Sequence, residues 1–368
     1  MNRREFFSTA AGVAALASTR FGWAAQAVDP KADWKKVRPS TLDRMAIMTL
    51  NFQSILKVPD TQPSPARTLE LADIGEMLAD TYGVHKVEFQ HYHLASVEPS
   101  YFKDLRNKLE KSKSRATQIN LEFSGLNISA PQNRDRLLAI DLTKMWIDHA
   151  VTLGAQRVMI NQGQPTQENK VHSIPTLKAM VDYGKSKNII VSVETRGSGG
   201  GGGRGRGGQG GQAQGGQGAA PAAAPPGTAA PGAAAATPAP ANAPAPAPGA
   251  AAPTGQPGAP AGPPSNGPDT WPLLAEIIKG AGAYSNVDFG GANAPNQEEL
   301  HRCLKMMHPM TAGSVHTRVN ARWDLATVIR YLEGELGYKG LYTIETGNGH
   351  VGTREIYDVV VATLDTKT

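Results

Sequence analysis

Three carboxylates and one imidazole stand at the ends of four successive apolar runs: Glu194 in IIVSVETRG, Asp288 in YSNVDFGG, His316 in AGSVHTRVN and Glu345 in LYTIETGNG. Carboxylate oxygens and an imidazole nitrogen form a hard donor set, suited to Mn2+, Mg2+ or Co2+ and compatible with Zn2+. One divalent metal ion held by Glu194, Asp288, His316 and Glu345 would grip adjacent hydroxyl and carbonyl oxygens and polarise the carbonyl. The proton on the neighbouring carbon becomes more acidic, and Glu194 and Glu345, one on each side, would remove and return it as the catalytic pair. The reaction this chemistry serves is isomerisation or epimerisation next to a ketone, through a metal-stabilised enediolate. Loss of water from the same intermediate is the alternative. A single Glu, Asp or His at a strand end is usually a cap, an ion pair or a solvated group; their shared position on consecutive strands makes these four a set.

Such a set needs strands that end side by side. Strand-like runs recur as MAIMTLNF, VHKVEFQHYHL, QINLEFSGLN, RVMINQG, NIIVSVETRG, SNVDFGG, AGSVHTRV and LYTIETG. Between them lie stretches with apolar residues at i, i+3, i+4 and i+7, the helical period. Gly83, Gly154 and Gly340 fall just past helix ends, where a left-handed cap is wanted. Eight strand–helix units predict a single (β/α)8 TIM barrel, an α/β fold closed by parallel pairing. Neighbouring strands lie about 4.8 Å apart, so the four donors meet at one end of it. A doubly wound open sheet is the alternative; no GxGxxG follows the first strand, which counts against a nucleotide fold.

Further candidates for substrate binding come from other strand ends. His91 and His93 close strand two in EFQHYHL and face one side of it, with packing as the alternative role. Glu88 has the opposite parity, so only one of the two sets is expected to point into the barrel. Asn161 and Gln162 end strand four and suit hydroxyl groups; Asn348 and His350 follow Glu345 on a Gly-bracketed loop. Trp146 and Trp323 read as helix packing rather than sugar platforms, with a reach into the site beside Arg322 as the alternative for Trp323.

The barrel pattern is interrupted at residues 198–268, a tract first rich in Gly and then in Ala and Pro, without a large apolar side chain. Nothing in it offsets the entropy of ordering, so a disordered insertion after strand five is expected. The domain boundaries follow: a signal peptide at 1–27, a leader at 28–42, the first part of the barrel at 43–197, the insertion at 198–268, and the remainder at 269–368. The opening MNRREFF, a weakly apolar Ala-rich stretch and an Ala25-Gln26-Ala27 cleavage site suggest twin-arginine export to the periplasm or beyond. No segment is apolar and long enough for a stable membrane span. The net charge of +5 is concentrated outside the barrel. Arg3, Arg4 and Arg20 against Glu5 give two net positive charges, and Arg204 and Arg206 give two more. The nearly neutral remainder gives no footprint for nucleic acid. Cys303, the only cysteine, excludes an internal disulfide and sits in a helical pattern, as a core residue would.

The motifs VSVET, NVDFG, SVHTR and YTIET resemble, in order, strands five to eight of the xylose isomerase-like barrel superfamily of sugar (phosphate) isomerases and epimerases. The similarity runs from about residue 43 to 365, less the insertion. The resemblance implies that Glu194, Asp288, His316 and Glu345 bind one divalent metal, with the two glutamates as acid–base pair. It also implies that Arg322, six residues beyond His316, touches substrate. Family members often carry a histidine three residues after the strand-six aspartate. DFGGAN has Gly291 there, and Asn293 is the nearest polar substitute. The implied substrate is a small carbohydrate, and export together with the missing basic phosphate cradle favours an unphosphorylated sugar or keto-sugar. A homo-oligomer fits the family as well. Competing readings are a lyase acting on a keto-inositol or 3-keto-glycoside, and a non-catalytic carbohydrate-binding barrel. An apurinic-site endonuclease would need further histidine ligands that DFGG and HTRV lack.

Overall fold

The computed structural model of the chain describes residues 33–59, 61–123, 125–161, 163–195, 270–290, 292 and 294–366. The signal peptide expected at 1–27 and the insertion at 198–268 lie outside the described residues. Eight strands form one sheet: β1 (Met45–Met48), β2 (Lys86–Gln90), β3 (Arg115–Leu121), β4 (Arg157–Asn161), β5 (Ile190–Thr195), β6 (Tyr284–Val287), β7 (Ser314–Thr317) and β8 (Leu341–Ile344). A one-turn helix, α1 (Pro39–Leu42), precedes β1. Each strand is then followed by a helix: α2 (Ile74–Tyr82), α3 (Pro99–Lys111), α4 (Asn133–Leu153), α5 (Lys170–Ser186), α6 (Trp271–Ala281), α7 (Gln297–Met307), α8 (Leu325–Gly334) and α9 (Gly349–Asp365). All ladders are parallel, in the order β6-β5-β4-β3-β2-β1-β8-β7. Two isolated parallel bridges, Ser285 to Thr311 and Asp288 to His316, join β6 to β7 and complete the ring. The predicted (β/α)8 TIM barrel is therefore the fold.

The strands alternate in a way that explains both of their faces. Val87 and Phe89, Val158 and Ile160, Val191 and Val193, Val315, Tyr342 and Ile344 pack outward into the helices, in one apolar cluster with Leu78, Phe102, Trp146, Leu177, Ile277, Leu304, Val328 and Ile356. Fully burying such a side chain contributes about 1.5–3 kcal/mol. The intervening residues turn inward, and most are polar: Glu88, Gln90, Gln118, Asn120, Ser192, Glu194, Asn286, His316 and Thr343 are all essentially inaccessible to solvent. A period of two thus builds an apolar collar around a polar barrel interior.

Gly83 and Gly154 adopt left-handed φ of 66° and 82° at the ends of α2 and α4, as their positions predict. Gly340 does not. The left-handed turn after α8 belongs to Gly337, whereas a Cβ at Gly340 would stand 2.4 Å from Tyr338 Oη and 2.5 Å from the Gly313 carbonyl. Close approach, not helix capping, requires that glycine. No helix among the described residues is long and apolar enough to cross a membrane. Cys303 is fully buried in the core, which pushes its thiol pKa up.

Candidate active site at the carboxyl ends of the strands

Glu194 is the fifth residue of β5, Asp288 follows β6, His316 lies in β7 and Glu345 follows β8. All four side chains are buried, at the barrel end where loops can build a site. His316 is the centre. Its Nδ1 is 3.1 Å from Glu194 Oε1 and 3.1 Å from Glu345 Oε2. One ligand atom each from Glu194, His316 and Glu345 fall within 4.8 Å of one another.

Asp288 lies beside this group, engaged by a residue that the sequence reading passed over. Arg318 Nε is 3.0 Å from Asp288 Oδ1, and Arg318 Nη2 contacts Glu345 Oε1. Gly290 N–H donates to the same Asp288 oxygen at 2.8 Å. Arg318 follows His316 by two residues, so strand parity alone sends it to the same side; that was the available signal. Space is made for it by Gly290, where a Cβ would come within 2.7 Å of Arg318 Cδ.

The other nitrogen of His316 meets Glu88, whose Oε1 is 2.6 Å from Nε2. Asn120 Nδ2 donates to that oxygen at 2.7 Å, and Asn286 Nδ2 lies 2.9 Å from Nε2. Burial alone would lower the His316 pKa; Glu88 and Glu194 overcome it and raise the ring to about 10. Burial pushes the Glu88 carboxyl up, yet the facing His316 and Asn120 hold it below its ordinary value.

Glu88, Glu194, Asp288 and Glu345 bring four carboxylates into one cluster, with Arg318 and His316 in direct contact and Arg157 acting on Glu88. Glu345 Oε2 is buried and receives no well-aligned hydrogen bond among the described residues. A divalent cation fits that donor set, so Glu194, His316 and Glu345 could hold a metal.

The remaining candidates are spread more widely. β2 ends at Gln90, and His91–His93 form a 3-10 turn. The period-two argument that set the histidines against Glu88 therefore does not extend to them: Glu88 turns into the barrel, and both histidines are buried as well. His91 packs against Phe123 at a ring distance of 3.9 Å and accepts the Glu122 N–H at 3.0 Å. His93 Nδ1 is 2.9 Å from Thr49 Oγ1. Asn161 pairs in register with Glu194, which sets it beside the cluster, and its Oδ1 is buried without a hydrogen-bond partner among the described residues. Arg322 is exposed; its guanidinium lies over the Trp323 ring at 4.9 Å and its Nε donates to Asn320. His350 packs between Phe52 and Tyr82. Trp146 is helix packing, as expected. Asn293 lies outside the described residues.

Neither a protein-family model nor a curated protein matches the chain. Solved structures do. An L-ribulose 3-epimerase superposes with a TM-score of 0.55 at 13% identity, covering 88% of this chain and 95% of that one. A D-tagatose 3-epimerase-like protein gives 0.54 at 16% identity over 88% and 99%. The chain shares the barrel fold of sugar epimerases. The apo form of an E. coli 3-keto-D-glucoside 4-epimerase gives 0.52 at 9% identity over 83% and 98%. At these identities the likeness establishes the fold.

Proposed function

We propose that the protein is a divalent-metal-dependent sugar isomerase or epimerase that acts next to a carbonyl on an unphosphorylated sugar or keto-sugar. The observation that carries this reading is the meeting of Glu194 and Glu345 on one face of His316, each 3.1 Å from Nδ1. Glu194, His316 and Glu345 would hold the metal, with Asp288 completing the set. When bound, the ion would polarise the substrate carbonyl and favour loss of the neighbouring proton.

The chain's own residues supply the rest. Glu194 and Glu345 remove and return that proton from opposite sides of the site. Arg318, anchored by two carboxylates, presents a fixed positive charge to the oxygen on which negative charge develops. Asn161, beside Glu194 and with an acceptor that has no hydrogen-bond partner among the described residues, orients a substrate hydroxyl. His91 and His93, buried just after β2, shape the wall, and Asn293 and Arg322 are the further substrate-binding residues. The similar structures include ketose 3-epimerases and a keto-glucoside 4-epimerase, which supports a carbohydrate substrate. Mn2+, Mg2+ and Co2+ suit the oxygen-rich donors, and Zn2+ is compatible.

The test is incubation of free ketoses and 3-keto-glycosides with the metal-loaded protein in D2O. Deuterium entering the carbon next to the carbonyl, with an epimer or isomer as product, supports the reading. Loss of water would move it to a lyase on the same site, and no exchange on any substrate that binds would overturn proton transfer. Export is part of the same proposal, and cell fractionation with N-terminal sequencing of the mature protein tests it.

A further inference from the structure

The two nitrogens of His316 keep different company. Nδ1 faces Glu194 and Glu345. Nε2 faces Glu88 Oε1 at 2.6 Å and Asn286 Nδ2 at 2.9 Å. Glu88 is fully buried in the middle of β2, and the proton transfers above make no use of it. Taking a carboxylate out of water costs several kcal/mol. Met48 and Met159 fill neighbouring inward positions, so this interior accepts apolar side chains. A carboxylate placed there needs a reason.

The reason lies in which nitrogen keeps the proton. A neutral imidazole has one N–H and one lone pair, and only the lone pair can take a metal. An ionised carboxylate can only accept: without metal, Glu88 on one side and Glu194 and Glu345 on the other favour an N–H on both nitrogens, and once a cation takes Glu194 and Glu345, Glu88 keeps the remaining proton on Nε2. Asn286, donating to Nε2, would put it on Nδ1 and close that atom to a cation. Glu88 prevails: its contact is shorter, hydrogen bonds to a charged acceptor are about twice as strong, and Asn286 Nδ2 has Met159 Sδ at 3.0 Å. Asn120, donating to Glu88 Oε1 at 2.7 Å, fixes the carboxylate in turn.

We infer that Glu88 is a positioning residue that holds His316 in its Nε2–H form, so that Nδ1 is the ligand atom turned toward Glu194 and Glu345. The inference rests on the metal-site reading above and adds to it a buried residue from the opposite side of the barrel. Asn120 and Glu88 form the chain of support behind the ligand.

The test uses the full-length chain, stripped with chelator and titrated calorimetrically with Mn2+ and Co2+ without substrate. Affinity is expected to fall roughly 10- to 100-fold in Glu88→Met. Glu88→Gln, which keeps an acceptor oxygen, should recover most of it. In wild-type protein labelled with 15N-histidine and loaded with Zn2+, the His316 resonances, assigned with His316→Ala, should show the proton on Nε2. That spectrum decides the matter even if Glu88→Met does not fold. Unchanged affinity in both Glu88 variants, or a proton on Nδ1, would overturn the role of Glu88 and leave the metal site standing. A wild-type chain that takes up neither Mn2+ nor Co2+ would overturn both.

Discussion

Arg318 spans the space between Asp288 and Glu345, its Nε 3.0 Å from one carboxylate and its Nη2 in contact with the other. The side chain thereby links the end of β6 to the end of β8 across β7. It keeps about a fifth of its surface open to solvent. It is the one described guanidinium bound to two of the predicted metal ligands, and it supplies part of the charge that a cation would otherwise bring.

Replacing this charge should therefore make the protein depend more on metal. In Arg318→Gln, melting in EDTA is expected to drop by an amount corresponding to about 1–3 kcal/mol. That is below the 3–5 kcal/mol typical of a fully buried pair, because the guanidinium is partly solvated. Added Mn2+ should raise the melting temperature by more in the variant than in wild type. Calorimetric scans with and without metal check both, and equal metal-induced shifts would contradict this picture.

Gly290 should matter through Arg318. A methyl group there would stand 2.7 Å from Arg318 Cδ, so Gly290→Ala must displace the arginine. Its effect on metal-free stability should resemble that of Arg318→Gln, and the double variant should be little worse than either single one. Additive effects in that cycle would mean that the two residues act separately.

Glu194→Gln and Glu345→Gln should each lower kcat by about 10²–10⁴, the usual contribution of a positioned acid or base. Both changes keep the shape and remove the base. Deuterium wash-in should be lost alongside turnover. A variant that retained full exchange would remove that glutamate from proton transfer.

Burial pushes His91 down to about 4, against the opposing Asn120 carbonyl, and burial, His91 and Arg67 push His93 down to about 3. Both values lie below the unfolded value of about 6.5, so the unfolded chain takes up protons first as pH falls. The stabilising effect of the neutral rings is full above pH 6.5 and is lost as pH drops toward 4 and 3. Each ring adds a slope of up to about 1.4 kcal/mol per pH unit across that window. Urea unfolding of wild type and His93→Gln from pH 7 to 4 should show a shallower acid loss in the variant.

Much of this arrangement can be read along the chain. The alternation in KVEFQ, RVMIN and IVSVET carries both the barrel and the inward direction of Glu194, and the strand ends place Asp288, His316 and Glu345 together. What escaped depends on reach or on local departures from strand geometry. Parity sends Arg318 inward, but only the folded backbone shows that it extends to strands on both sides. Glu88 was set against His91 and His93 because strand two was read through to the histidines. The 3-10 turn after Gln90 ends the period of two, and the conflict disappears. Asn120 and Asn286 stand within apolar strands, where nothing local distinguishes a partner of Glu88 or His316 from any buried amide.

The barrel wall has one thin place. The backbones of β6 and β7 pair through the isolated Ser285–Thr311 and Asp288–His316 bridges rather than a continuous ladder among the described residues, and the second bridge is made by two of the predicted ligands. Asp288 and His316 thus serve as a clasp. An ion that drew their side chains together would also tighten the ring, and a ring that opened at this seam would part its donors in the same movement. Integrity of the wall and occupancy of the centre would then be one cooperative property, shared by the backbone and the chemistry it carries.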